Sequence, residues 1–454
     1  MPAPIEDYAL LGDCETAALV SRDGSIDWLC WPRFDSPACF AALLGGPEHG
    51  RWKIAPAARA PKITRRYRGD TMILETDFET PDGAVTLVDF MPVRSGQADI
   101  VRTVVGRRGR VAMQTEFIVR FDYGSTVPWV SHVDDGTPRG MLRAIAGPDM
   151  VLLRSDVPLR GKGLTTIGDF VVREGETVSF VLTYTFSHEA APVPIDPVAA
   201  LADTEHFWTE WAARCSYRGE WRDAVMRSLL TLKALTYRPT GGIVAAPTTS
   251  LPEHIGGSRN WDYRYCWLRD ATLTLLSLMD AGYYDEAASW RDWLLRAAAG
   301  SPEQLQIMYG LRGERHLREW QIPWLPGYEG STPVRIGNAA HGQLQLDVYG
   351  EVIDALYQAR KGGLPDSEEA RRLAIALVAH LERIWSEPDE GLWEVRGPRQ
   401  HFTHSKVMAW VALDRAIRVA EEVGRASPGS SPWPLSPIIQ HRPPYRSAAV
   451  RSMS

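Results

Sequence analysis

Near residue 200 the hydrophobic pattern changes period, and this change constrains the fold more than any other feature of the chain. Upstream, apolar residues alternate. "ETVSFVLTYTF" puts Val178, Phe180, Leu182, Tyr184 and Phe186 on one face, the period of a β-strand. "ITRRYRGDTMILETDFETPDGAVTLVDFMPV" reads as strand, Pro-Asp-Gly turn, strand. Such segments recur from about 50 to 190 with glycine-rich turns between them, which predicts an antiparallel sandwich. Downstream, apolar residues fall at i, i+3 and i+4, as in Leu373, Leu377 and Leu381. Helices are expected near 219–237, 268–282, 284–299, 338–361, 367–385 and 404–424. "SEEA" at 367–370 reads as a capping box with Ser367 at the cap.

Two long Gly/Pro-rich stretches interrupt the helices, "TGGIVAAPTTSLPEHIGGSRNWDYRY" and "REWQIPWLPGYEGSTPVRIG". Loops of that length inside a compact domain are usually functional. The last thirty residues, 425–454, hold six Pro, seven Ser and none of the 56 acidic residues, a composition that favours disorder. The division expected is a sheet domain over 1–200, a linker over 201–218, a helical domain over 219–424 and an aberrant or disordered tail over 425–454.

Charge and composition exclude several classes. A net charge of −6 with a pI near 6.0 offers nothing to a phosphate backbone, so no nucleic-acid partner is expected. There is no run of about 18 apolar residues for a membrane span, and the first twenty residues lack the basic and apolar regions of a signal peptide. Five scattered cysteines without a CxxC suit a reducing cytoplasm better than a disulfide framework. There is no P-loop or dinucleotide fingerprint, no metal or other cofactor is expected, and the sequence sets no oligomeric state. Tryptophan is in excess: 17 residues, nine of them between Trp261 and Trp410. These rings suit either a helical core or a groove on which sugar rings stack.

Three clusters could carry chemistry. In "NWDYRYCWLRDATL", Asp262, Arg264, Arg269 and Asp270 sit among aromatic residues where a loop enters a helix. Forked donors and carboxylates there suit vicinal sugar hydroxyls, or form a structural ion pair. Glu394, beside Trp393 in "GLWEVRGPRQ", is either a solvated loop charge or a general acid kept protonated by partial burial against an aromatic ring. Asp347 and Glu351 share a helix face, as an exposed or capping pair or as a paired-carboxylate site. "HFTH" at 401–404 lacks the acidic or cysteine neighbours of a metal site.

Taken together, these stretches resemble glycoside hydrolase family 15, the glucoamylases and their trehalase-like bacterial relatives, from about residue 4 to about 424. The resemblance starts in "PIEDYALLGDCETAALVSRDGSIDWLCWPRFDSPACFAALLG". It continues through "GSRNWDYRYCWLRDATLTLLSLMDAGYYDEA", "IPWLPGYEGSTPVRIGNAA", "QLQLDVYGEV" and "GLWEVRG…HFTHSKVMAWVALDRA". It implies an N-terminal β-sandwich followed by an (α/α)₆ barrel. It also implies a cytoplasmic, inverting α-glucoside hydrolase of trehalase type, with a glucoamylase on α-1,4-gluco-oligosaccharides or a non-catalytic product as alternatives. By the same resemblance Glu394 is the general acid, and Trp267, Arg269, Asp270, Trp393 and Arg335 contact a small α-glucoside. The implied barrel has twelve helices, whereas about six are legible before residue 425. The chain is therefore expected to be truncated, with only the first half of the barrel and no general base.

Overall fold

Between Ala98 and Ile118 the chain runs as one strand of 21 residues, and the N-terminal region is assembled around it. The structure, a computed structural model, describes residues 2–426 apart from 59, 95 and 137–139. The tail expected at 425–454 thus lies, from 427 onward, outside the described residues. The first length of the long strand pairs with Thr177–Phe186 and Gly83–Phe90, the second with Thr165–Arg173 and Arg51–Pro56, all antiparallel. Two glycines sit where the partners change. Gly109 has φ 63°, and a Cβ on Gly106 would lie 1.8 Å from the Arg173 carbonyl oxygen, so neither site suits a side chain. Trp52, Phe117 and Phe180 meet between the two lengths of the strand and centre one shared core.

This is the antiparallel domain expected upstream of residue 200, with fifteen strands in one sheet. The Pro-Asp-Gly hairpin is present, with Thr80 opposite Gly83. Along Thr177–Phe186, Phe180, Leu182 and Tyr184 enter the core. Phe186, at the strand's end, is 39% exposed.

Seven helices follow among the described residues: α1 (Pro197–Ala213), α2 (Arg222–Ala234), α3 (Leu268–Asp280), α4 (Tyr284–Ala297), α5 (Asp347–Lys361), α6 (Glu368–Ile384) and α7 (Thr403–Ala426). The segment expected as a linker holds most of α1, which Asp196 opens by accepting from the Val198 amide. Ala200 and Leu201 of α1 pack on the sheet, and its Trp208 and Trp211 pack against α2 and Tyr283. The helix therefore fastens the two regions together. Ser367 caps α6 by accepting from the Ala370 amide. Ala370 occupies the position a capping box reserves for Glu or Gln, so only half of that motif forms.

The helix expected from 338 begins only at Asp347. The amides of Leu344 and Leu346 bond to the carboxylates of Glu390 and Asp389, and this competes with helical pairing. The two long loops are pinned as ribbons: Thr249–Pro252 pairs with Asn260–Asp262, and Trp320–Ile322 with Val334–Ile336. Ile322, Leu325, Tyr328, Val334 and Ile336 pack against Trp28, Leu43, Leu44 and Tyr123 of the sheet domain. The two long loops thus rest on the N-terminal domain.

Helix α5 packs against α3 and α7, and Gly350 permits a close approach to α7. A Cβ there would lie 2.2 Å from the Met408 carbonyl oxygen of α7. Gly350→Ala is expected to force the helices apart and cost about 1–3 kcal/mol. Thermal unfolding would read this as a lowered midpoint, and an unchanged midpoint would contradict the close contact.

Candidate active site

The site forms where the start of α3 meets the loop before α7. Trp267 ends a short strand paired with Met308 and Tyr309. Its extended backbone, φ −75° and ψ 134°, turns the chain into α3, so Arg269 and Asp270 fall in the first turn. The Glu394 loop is closed at its base by an Asp389–Gln400 bridge. Within it, the Glu394 amide donates to the Gly391 carbonyl at 3.0 Å. Glu394 itself has φ 52°, a left-handed conformation that non-glycine residues adopt at a cost.

These two segments, 127 residues apart, are joined by side chains. The buried Trp267 Nε1 donates to Glu394 Oε1 at 2.7 Å. Arg269 Nη1 donates to the Leu392 carbonyl at 3.1 Å, while its Nη2 lies 3.1 Å from Asp270 Oδ2 and 3.9 Å from Glu394 Oε1. Burial pushes the Glu394 carboxyl above its ordinary value, opposed by the Trp267 hydrogen bond and the Arg269 charge. The side chain keeps 20% exposure. A carboxyl that is largely desolvated, yet open on one side, can hold a proton and deliver it outward.

The other residues singled out in the sequence divide. The ring that orients Glu394 is Trp267, whereas the neighbouring Trp393 is 75% exposed. Arg335 faces a different carboxylate, Glu319 Oε1, at 3.6 Å. It donates to the carbonyls of Ser258 and Asn260 and stacks 4.5 Å from the Trp261 ring centre. Asp262 and Arg264 are structural. Both have no exposed surface, and they form a two-pronged pair at 2.8 and 2.9 Å. Arg264 also donates to the Ser36 carbonyl and to the Tyr123 hydroxyl, both in the sheet domain.

Asp347 and Glu351 are buried, which corrects the expectation of an exposed pair. The Asp347 carboxyl faces His404 Nδ1 at 3.7 Å. Burial, reinforced by the Asp347 charge, pushes Glu351 up to about 7. Asp389, Glu390 and Arg396, which anchor the loop, escaped sequence reasoning because their partners lie in distant segments. The tryptophans divide between core and surface. Trp28, Trp52, Trp208, Trp267, Trp290 and Trp293 are fully buried, while Trp320, Trp385, Trp393 and Trp410 are exposed.

Comparison with known proteins gives the family. Residues 219–436 match the model of glycosyl hydrolases family 15, and residues 1–156 match the trehalase-like N-terminal domain. A trehalase from Mycolicibacterium smegmatis is 35% identical over 450 residues, covering 93% of this chain and 67% of the relative. The chain belongs to glycoside hydrolase family 15. Trehalase 1 from Sulfolobus acidocaldarius is also 35% identical, covering 91% of the chain and 71% of the relative. This family member thus spans about two thirds of the length of these trehalases. A bacterial glucoamylase solved with acarbose superposes with a TM-score of 0.65 at 13% identity, covering 93% of this chain and 64% of that one. The family member therefore has the glucoamylase-like fold and is a glycoside hydrolase by descent.

The buried acids of α5 yield a pH prediction. The folded chain holds the Glu351 proton more tightly than the unfolded chain, whose reference value is 4.5. Stability from this group is complete below about 4.5 and falls as pH rises through about 7. Glu351→Gln should raise the unfolding midpoint at pH values above about 7.5 and leave it unchanged near pH 4. A midpoint lowered at every pH would contradict the assignment.

Proposed function

We propose that the chain is the glucose-binding and proton-donating part of an inverting trehalase. Glu394 is the general acid, and Arg269 and Asp270 hold a terminal glucose unit. The observation that carries this reading is the 2.7 Å hydrogen bond from Trp267 to Glu394 Oε1, with the Arg269–Asp270 pair beside it. A protonated carboxyl fixed through one oxygen leaves the other to meet the glycosidic oxygen. As the bond to the anomeric carbon breaks, the proton moves to the departing sugar, and water enters from the opposite face. Trehalose as the substrate is supported by the names of the relatives at 35% identity. Trp393, exposed next to the acid, and Arg335 are read as contacts to the substrate.

Inversion needs a second carboxylate about 6.5–9.5 Å from the first, with water between it and the sugar. Each described acid near Glu394 has a charged or amide neighbour of its own or, as Glu351, is buried and raised to about 7. Asp270 pairs with Arg269, Asp389 and Glu390 accept from the amides of Leu346 and Leu344, and Asp347 faces His404. The reading therefore takes the base from outside the described residues. It also takes α2–α7 as part of an (α/α)₆ barrel, with the sheet domain over 1–200 and the helical domain over 219–424. The five buried free thiols support a cytoplasmic setting.

The test uses the purified chain with added azide as a small anion in place of the base. Trehalose cleavage should drop by about 10²–10⁴-fold in Glu394→Gln. Cleavage of α-glucosyl fluoride, whose leaving group needs no proton, should persist and yield the β-azide. In the parent, trehalose cleavage should fall as pH rises through the elevated Glu394 pKa. Equal trehalose cleavage in Glu394→Gln would remove the acid assignment. An α-azide product would remove inversion. Ordinary trehalose turnover without azide would put the base among the described carboxylates.

A further inference from the structure

The left-handed backbone at Glu394 raises the question of what holds its loop. Two residues on, the Arg396 guanidinium is clamped from three sides. Its carbon lies 4.4 Å from the centre of the Trp261 ring. Its Nη2 donates to Glu319 Oε2 at 2.9 Å and to Asn338 Oδ1 at 3.4 Å.

Each of these partners is itself fixed. Trp261 Nε1 donates to Glu253 Oε1 at 3.1 Å, and Arg335 also stacks on the ring. Glu319 Oε2 accepts from the Ala339 amide at 3.0 Å, and its Oε1 faces Arg335 Nε at 3.6 Å. Asn338 Nδ2 donates to the Asp262 carbonyl, and Asp262 holds the buried Arg264. Between two arginines, Glu319 offsets their mutual repulsion. Burial acts to raise its pKa, but the Ala339 amide and Arg396 outweigh it, so the value falls below the ordinary one.

The geometry points to Arg396 as a positioning residue for Glu394: clamped by Trp261, Glu319 and Asn338, it holds the loop that keeps the carboxyl on Trp267 Nε1. Its consequence for catalysis rests on the reading of Glu394 as the acid. The anchor itself does not. Ahead of Glu394 the loop is held by Arg269 on the Leu392 carbonyl, and its base is closed by the Asp389–Gln400 bridge; immediately after Glu394 the other ties are thinner. The Val395 amide reaches the Glu390 carbonyl at 3.3 Å, and Gln343 reaches the Val395 carbonyl at 3.4 Å. Without Arg396, the chain just after Glu394 keeps only these two long hydrogen bonds, so Glu394 can relax out of its positive φ and swing the carboxyl away from the indole.

The test compares Arg396→Met, Arg396→Lys, Glu319→Gln and Glu394→Gln in the full chain, with two readouts that need no turnover. One is the indole N–H resonance of Trp267 in isotope-labelled tryptophan, assigned through Trp267→Phe. The other is amide hydrogen exchange of the peptide spanning 388–400. In Arg396→Met the Trp267 resonance should lose its hydrogen-bonded shift, and exchange at Glu394 and Val395 should rise about tenfold. The resonance of Trp52, in the sheet core, should stay in place. Arg396→Lys, which keeps the charge but not the flat stack, should fall between. Glu319→Gln should reproduce the effect should Arg396→Met fold poorly. An unmoved Trp267 resonance together with unchanged loop exchange would overturn the proposal. Equal movement of Trp52 would overturn it too, by showing a general loss of structure. Should the loop loosen while Glu394→Gln leaves trehalose cleavage intact, the acid reading fails and the anchor stands.

Discussion

A guanidinium with no exposed surface joins the parts on which the site depends. Arg264 is paired through two prongs to Asp262 and reaches back to Ser36 and Tyr123 in the sheet domain. Losing one partner of such a pair would strand a charge in the interior, at a cost of about 3–5 kcal/mol. Asp262 extends the link by accepting from the Gly337 amide, so the loop before α3 and the loop before α5 share one buried fastening. Three residues past Arg264 comes Trp267, and through it Glu394. The sheet domain is thus a footing for the site as well as a neighbour of it.

From this footing the chemistry follows in short steps. A rigid strand end sets Trp267, the indole sets one oxygen of Glu394, and Arg269 ties the Glu394 loop to α3 through the Leu392 carbonyl. Burial and hydrogen bonding act on the acid in opposite directions, and burial prevails. The carboxyl therefore holds its proton to a higher pH than an ordinary glutamate does. This combination suits a group that must give up a proton during glycosidic cleavage.

Local features were legible in the sequence, and long-range ones were not. The period-2 strand at 177–186, the Pro-Asp-Gly hairpin and the Ser367 cap depend on near neighbours, and all three formed. The start of α5 was misjudged because Asp389 and Glu390, more than forty residues away, capture the preceding amides. Asp262 and Arg264 could be read either as sugar contacts or as a structural pair, because their burial depends on Ser36 and Tyr123, more than a hundred residues upstream. In sequence, Asp347 and Glu351 read as an exposed or capping pair ahead of a paired-carboxylate site, because nothing local shows that α3 and α7 pack on α5. Glu394 was singled out through the motif around it, but its true aromatic partner, Trp267, emerges only when the loop and α3 are brought together.

The account turns on one ionisation. Titrating the Glu394 side-chain carboxyl by NMR, assigned through Glu394→Gln, measures it directly. The account predicts a midpoint above the ordinary glutamate value of about 4.3, moving higher still in Trp267→Phe as the indole hydrogen bond is lost. A midpoint at or below that ordinary value, unmoved by the Trp267 change, would mean that Glu394 is a common solvated carboxylate and contradict the account.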